Sequence, residues 1–234
     1  KPLLSYKISG IRESEINAML RDILSGLDVR FSITPKSGVC DLILVPSEGC
    51  PLSPPDLEAR IKEAFRAFLI ADSMGSPEEE LVSLLKEKGM TISTAESCTG
   101  GLLAKRITDI AGSSEVFTGS VVAYSNSMKV NILGVKERTL EHYGAVSEKT
   151  AGEMASGLKR CTGSDICISI TGIAGPSGGT AEKPVGMVCF GFIIKEREFT
   201  VTRVFSGSRE RVRTFASLYV LNRLRNELRS LFFD

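Results

Sequence analysis

The 234-residue sequence lacks an excess of either charge: 29 Lys and Arg stand against 28 Asp and Glu, a net +1 with histidine neutral. A chain so balanced presents no broad field toward nucleic acid or an anionic membrane, so such a partner has to be argued from a local patch. Long hydrophobic runs are missing too. The longest, GMVCFGFII at 186–194, falls far short of the roughly 18 residues of a membrane span. No basic-then-apolar segment opens the chain, so a cytoplasmic location with no membrane partner is expected. It begins at Lys1 rather than methionine, which suggests that something preceded it. The six cysteines, at 40, 50, 98, 161, 167 and 189, contain no CxxC pair, and His142 is the sole histidine. That excludes the usual zinc frameworks and disulfide-dense scaffolds; reduced, mostly buried thiols are expected, with no metal and no cofactor.

The pattern of elements divides the chain. In residues 1–75 a short strand near LSYKI precedes a helix with Ile16, Met19, Leu20, Ile23, Leu24 and Leu27 at helical spacing. Strands near VRFSI and DLILV follow, then a helix after Ser53 that opens on Pro54 and Pro55 and buries Ile61, Phe65, Phe68 and Leu69. The order βαββα describes a small α+β domain, and MGSP reads as a linker. From 76 to 234 helices and strands alternate. Ser76 with Glu79 makes a capping-box signal, TISTA, FTGSVVAY and ICISI read as strands, Ser147 caps a helix, two strands span GMVCFGFII and FTVTRVF, and a long helix closes the chain. This predicts a layered α/β/α domain with a mixed sheet. Ligands in such sheets collect at loops beyond strand ends, here ESCTGG, AGSS, YSNSMK and GIAGPSGG.

Several chemistries compete for these loops. GIAGPSGG can cradle a phosphate on backbone amides or be a plain Gly-Pro turn; no Gly-Lys-Ser/Thr and no GxGxxG is present. Cys98 is a nucleophile only with a base nearby, and a small buried cysteine is the commoner outcome. Lys129 can serve a serine as base without histidine, and Ser125 lies four residues before it. A solvated helix lysine is the bland alternative. Arg209 heads the last helix, where guanidinium and N-terminal amides can share one phosphate, or it is a surface arginine. His142 reads as a surface or helix-end residue.

TAESCTGG, TDIAGSS, VVAYSNSMK, GAVSE, ISITGIAGPSGG, EKPVGMV and FSGSR, in this order over nearly all of 76–234, resemble the C-terminal amidase domain of the CinA family of competence/damage-inducible proteins. Residues 1–75, with SYKISGIRESEIN, resemble the KH-type linking domain that precedes it. The family's N-terminal molybdopterin-cofactor-like domain has no counterpart in these residues, so its pyrophosphatase activity and divalent metal are not expected of them. The resemblance implies hydrolysis of the carboxamide of nicotinamide mononucleotide to nicotinate mononucleotide and ammonia, a step of pyridine nucleotide salvage. It implies Ser114 of AGSS as nucleophile and Lys129 as base, with Ser97, Tyr124, Thr171 and Arg209 on substrate-binding or catalytic positions. Gly100, Gly101, Gly172 and Gly175 are candidates for a phosphate or oxyanion loop. Ser208 stands where the family pattern has an acidic residue. A homodimer is implied as well. The alternatives are a non-catalytic nucleotide-binding or regulatory scaffold, and a nucleic-acid binder. The last is disfavoured, because residues 1–75 hold nine basic and ten acidic side chains and no GxxG loop.

Overall fold

The computed structural model of the chain describes residues 3–36, 38–71 and 75–230; Met74 of the expected linker lies outside the described residues. Two compact units are present, Lys1–Leu81 with Leu221–Asp234, and Val82–Val220. Their boundaries fall inside two helices, so the last part of the C-terminal helix belongs with the N-terminal residues.

The smaller unit has the expected βαββα order: β1 (Leu4–Ser9), α1 (Glu13–Ile23), β2 (Val29–Lys36), β3 (Val39–Pro46) and α2 (Pro54–Ala64). The three strands form an antiparallel sheet in the order β1-β3-β2. Alternation along β3 buries Cys40, Leu42 and Leu44 against Ile16 and Leu20 of α1 and Leu57 and Ile61 of α2. Ser53 Oγ accepts from the Asp56 amide at 3.3 Å, capping α2 where Pro54 and Pro55 have no N–H in want of an acceptor. The helices stop sooner than their apolar runs suggest. Leu24 ends α1 and Phe65 ends α2, while Leu27, Phe68 and Leu69 reach the same core from beyond the helix ends.

The larger unit continues through α3 (Pro77–Glu87), β4 (Ile92–Glu96), α4 (Leu102–Thr108), a 3-10 turn (Ser113–Glu115) and β5 (Phe117–Val122). Two short helices absent from the sequence expectation follow, α5 (Asn126–Asn131) and α6 (Glu137–Tyr143). Then come α7 (Glu148–Thr162), β6 (Ile166–Gly172), β7 (Met187–Ile194), β8 (Arg197–Val204) and α8 (Arg209–Ser230). The sheet order is β5-β4-β6-β7-β8. β4 runs parallel to both β5 and β6, and β7 and β8 join antiparallel, so the sheet is mixed as expected. Met154, Ala155 and Leu158 of α7 pack on Ala95, Cys167 and Ile193 from one face. From the other face Tyr219 of α8 meets Phe190, with ring centroids 4.8 Å apart. All five residues of β4 are buried, as a strand covered on both faces requires. Among the described residues no helix is long and apolar enough to cross a membrane.

Asp165 secures the start of β4. Its carboxylate accepts from the Thr91 amide and hydroxyl, both at 2.8 Å, and these bonds hold its pKa below the ordinary 3.8. A depressed carboxyl contributes stability above its unfolded value and loses it as pH falls through the folded one. Asp165→Asn is therefore expected to cost less than about 1 kcal/mol near pH 7, since the group is partly solvated. In paired thermal melts the difference between parent and variant shrinks as pH falls below 3.8 through the folded value; a gap that is the same at neutral and at strongly acid pH contradicts the assignment.

Candidate active site

Parallel pairing brings the C-terminal ends of β4, β5 and β6 to one edge of the sheet, and the chemistry collects there. Ser97 follows β4 and its amide still donates to Ile170 O of β6 at 2.8 Å. β5 leads through Ala123 and Tyr124 into α5, whose N-cap Ser125 accepts from the Met128 amide at 3.2 Å. One turn into α5 stands Lys129, only 1% exposed. Its Nζ donates to Ala123 O at 2.9 Å and Tyr124 O at 3.3 Å, and lies 3.1 Å from Ser97 Oγ. Sequence reasoning missed the two carbonyls, since backbone acceptors leave no composition signal.

Ser97, Cys98, Tyr124, Lys129, Thr171 and Arg209 line a cavity of about 240 Å³, closed further by Ala145, Val146, Gly172 and Ala174. Five sequence-predicted residues thus converge: Ser97, Tyr124, Lys129, Thr171 and Arg209. Arg209 commits Nη1 to Gly175 O at 3.0 Å and Nη2 to Tyr124 Oη at 2.9 Å. Ser208, where an acidic residue was expected, instead caps α8 through the Arg211 amide at 3.3 Å. Thr171 donates to Ala145 O at 2.7 Å, tying the end of β6 to the opposite wall of the cavity.

Ser114 is placed apart from the other candidates. Within one chain it is not beside Lys129. It lies in the exposed 3-10 turn ahead of β5, where the Val116 carbonyl accepts from Ile92 at the start of β4. That is the N-terminal edge of the sheet, whereas Lys129 is at the C-terminal edge. At about 3.3 Å per residue the two are separated by roughly 16–20 Å of strand. Both serines precede Lys129 in sequence, and only strand direction tells them apart.

The glycine loop also divides. Gly172 lines the cavity, and a Cβ there would come within 2.8 Å of Met187 O. Gly100 and Gly101 instead adopt φ of +59° and +87°, the left-handed turn that feeds α4. Gly175 supplies a carbonyl, an acceptor unsuited to an oxyanion. Cys98 is buried and its thiol is pushed up to about 12, chiefly by burial, so it is neutral and unreactive near pH 7. Ser125 is occupied in capping α5, and His142 sits exposed on α6, its Nδ1 2.8 Å from Arg138 O. A larger open groove of about 460 Å³, beside α7 and β8, contains none of the predicted residues.

Burial holds the Lys129 pKa below the ordinary lysine value of 10.5. A Cys98 thiolate would raise it, but a thiol titrating near 12 supplies no such charge at neutral pH. The two carbonyls engage two N–H bonds of the amine. When Lys129 is neutral its remaining position is a lone pair, and Ser97 is the partner that can donate to it. The pair can therefore exchange a proton without a histidine.

The family model described as the CinA C-terminal domain matches residues 75–228. A putative competence-damage inducible protein of Caldanaerobacter subterraneus subsp. tengcongensis is 40% identical over 95% of this chain and 55% of its own length. The chain thus spans about half the length of such full-length relatives. A nicotinamide-nucleotide amidohydrolase, PncC, of Enterobacter agglomerans is 54% identical over 61% of this chain and 87% of its own length. The crystal structure of a competence or damage-inducible protein from Enterobacter asburiae superposes with a TM-score of 0.63 at 38% identity, covering 65% of this chain and 96% of that one.

Proposed function

Because the chain belongs to the CinA C-terminal domain family, we propose that its larger unit hydrolyses the carboxamide of nicotinamide mononucleotide, giving nicotinate mononucleotide and ammonia. The observation that carries the mechanism is the buried Ser97–Lys129 contact of 3.1 Å. Support for the substrate comes from the relative named as a nicotinamide-nucleotide amidohydrolase. In this reading neutral Lys129 takes the Ser97 hydroxyl proton as Oγ attacks the carboxamide carbon. The resulting ammonium returns that proton to the amide nitrogen, the C–N bond breaks and ammonia leaves. Lys129 next takes a proton from water, which attacks the acyl ester. Ser97 Oγ departs with the proton and the enzyme is restored. Arg209, with further N–H donors beyond the two it commits, stands at the cavity mouth for the 5′-phosphate.

Ammonia release from nicotinamide mononucleotide tests this reading in the parent, Ser97→Ala and Ser114→Ala. Ser97→Ala is expected to lose at least about 10³-fold in kcat, and Ser114→Ala to stay within about fivefold of the parent. Loss with Ser114→Ala and retention with Ser97→Ala overturns the pairing. A folded parent that releases no ammonia favours the non-catalytic nucleotide-binding reading.

A further inference from the structure

A carboxylate next to the proposed nucleophile invites a role as base, yet Glu96 is not in the cavity. Successive strand residues face opposite ways, and Glu96 points away from Lys129 toward α4. There it is fully buried. Its Oε2 accepts from the Leu103 amide at 3.1 Å and its Oε1 from the Ala104 amide at 2.8 Å, with Thr94 Oγ1 at 3.4 Å. The last residue of β4 thereby reaches across the excursion Ser97–Gly101 and fastens to the first turn of the helix beyond it. A second side chain holds the same excursion from outside: Arg213 of α8 donates Nε and Nη2 to Thr99 O at 3.3 and 2.8 Å. Thr99 is itself fully buried.

We propose that Glu96 is a positioning residue for the Ser97–Lys129 pair, acting through the clamped turn, with Arg213 as its counterpart. The proposal rests on the amidase reading above for its kinetic consequence, though not for its structural one. The chemistry of the clamp requires glutamate. Two amide N–H groups reach two separate oxygens, and a carboxylate presents an acceptor to each. Glutamine has nearly the same volume but turns one of those acceptors into an NH₂, set donor against donor, so the turn has to move. Aspartate is one methylene shorter and cannot span both amides. Ser97 Oγ has one hydrogen-bond length in which to reach Nζ, so a shift of about 1 Å disconnects them.

The test compares the full chain as parent, Glu96→Gln and Asp165→Asn. Asp165→Asn loosens the opposite end of the same strand, so it controls for general weakening of β4. Glu96→Gln is expected to lower kcat for ammonia release about 100-fold, with KM within about twofold. Asp165→Asn keeps kcat within about twofold of the parent. The second readout needs no turnover. In a crystal structure of Glu96→Gln, Ser97 Oγ stands beyond about 3.5 Å from Lys129 Nζ. Parent-like kcat in Glu96→Gln, or an unmoved Ser97–Lys129 contact in its crystal, overturns the proposal. An equal kcat loss in Asp165→Asn overturns it as well, because the effect is then one of strand stability. If the parent proves inactive, the amidase reading fails while the crystal distance still decides the positioning role. Should Glu96→Gln not fold, Arg213→Met takes its place with an expected kcat loss of about tenfold, and an unchanged kcat there is equally fatal.

Discussion

Lys129→Met is expected to reduce kcat/KM for nicotinamide mononucleotide by at least about 10³-fold while shifting stability by no more than about 2 kcal/mol. Activity falls because the serine proton has nowhere to go: Lys129 Nζ is the basic atom within reach of Ser97 Oγ, at 3.1 Å. Stability holds because two effects oppose each other. Methionine removes a buried amine, yet it deprives the Ala123 and Tyr124 carbonyls of their donor. Lys129→Arg separates proton transfer from simple charge. A guanidinium stays protonated at working pH, so this variant should be as inactive as the methionine one. Substantial turnover in Lys129→Arg shows that the residue acts as a fixed cation and not as a base.

The pH profile carries the sign of the burial. Below its folded pKa Lys129 is an ammonium and cannot accept the serine proton, so kcat/KM rises with pH through that value and levels off short of 10.5. The same depressed pKa has a stability consequence. Between the folded and unfolded values the unfolded chain binds the extra proton, so unfolding free energy rises with pH in that window. Lys129→Met lacks this slope. Identical pH dependence of stability in the two proteins would mean that Lys129 titrates normally in the fold.

In the smaller unit the largest effect is expected from Glu80. Its side chain is 5% exposed and faces the fully buried Arg225, with Nε to Oε2 at 2.9 Å. Arg229 Nε reaches Oε1 at 2.7 Å, and the Ala71 amide donates at 3.1 Å. Both arginines also hold Leu69 O, at 2.6 and 2.8 Å. Glu80→Ala removes the carboxylate that both guanidiniums hold and leaves them against each other, with Glu78 the remaining acidic neighbour of Arg225, and the loss should be about 3–5 kcal/mol. Amide exchange of the β1–β3 strands measures it locally, which avoids assuming one transition for two units. The double variant Glu80→Leu with Arg225→Met should recover most of the loss, because apolar groups replace the pair. A loss under about 1 kcal/mol, or no recovery in the double variant, means the cluster is solvated and contributes little.

How much of this was legible in the sequence depends on the range of the interaction responsible. Element order follows from local signals. Ser53 and Ser147 cap the helices they were read to cap, at 3.3 and 3.1 Å, and the alternating and buried runs became the expected strands. The short α5 and α6 were not read, since six or seven residues leave too few turns for a helical period to register. Ser97, Tyr124, Lys129, Thr171 and Arg209 are candidates motif by motif in the sequence, and in the structure all five line one cavity.

What tertiary structure decided was pairing. Ser97 and Ser114 are both serines in loops between β4 and β5 or at their ends, and nothing local distinguishes their distance to Lys129. The parallel registers Ile92↔Phe117 and Ile92↔Ile166 do, by setting all strand ends of one kind on one edge. In sequence Glu96 is only a carboxylate beside a serine; the side-chain alternation of β4 turns it to the amides of α4. Arg225 and Arg229 read as part of the last helix of the larger domain, but packing joined them to Glu80 and the N-terminal unit. By itself the sequence determined which elements form and which residue types gather in the loops, because capping and periodicity act within a few residues. Strand direction, register and burial act between residues distant in sequence, here Ile92 with Phe117 and with Ile166, and they determined which serine meets the lysine within one chain.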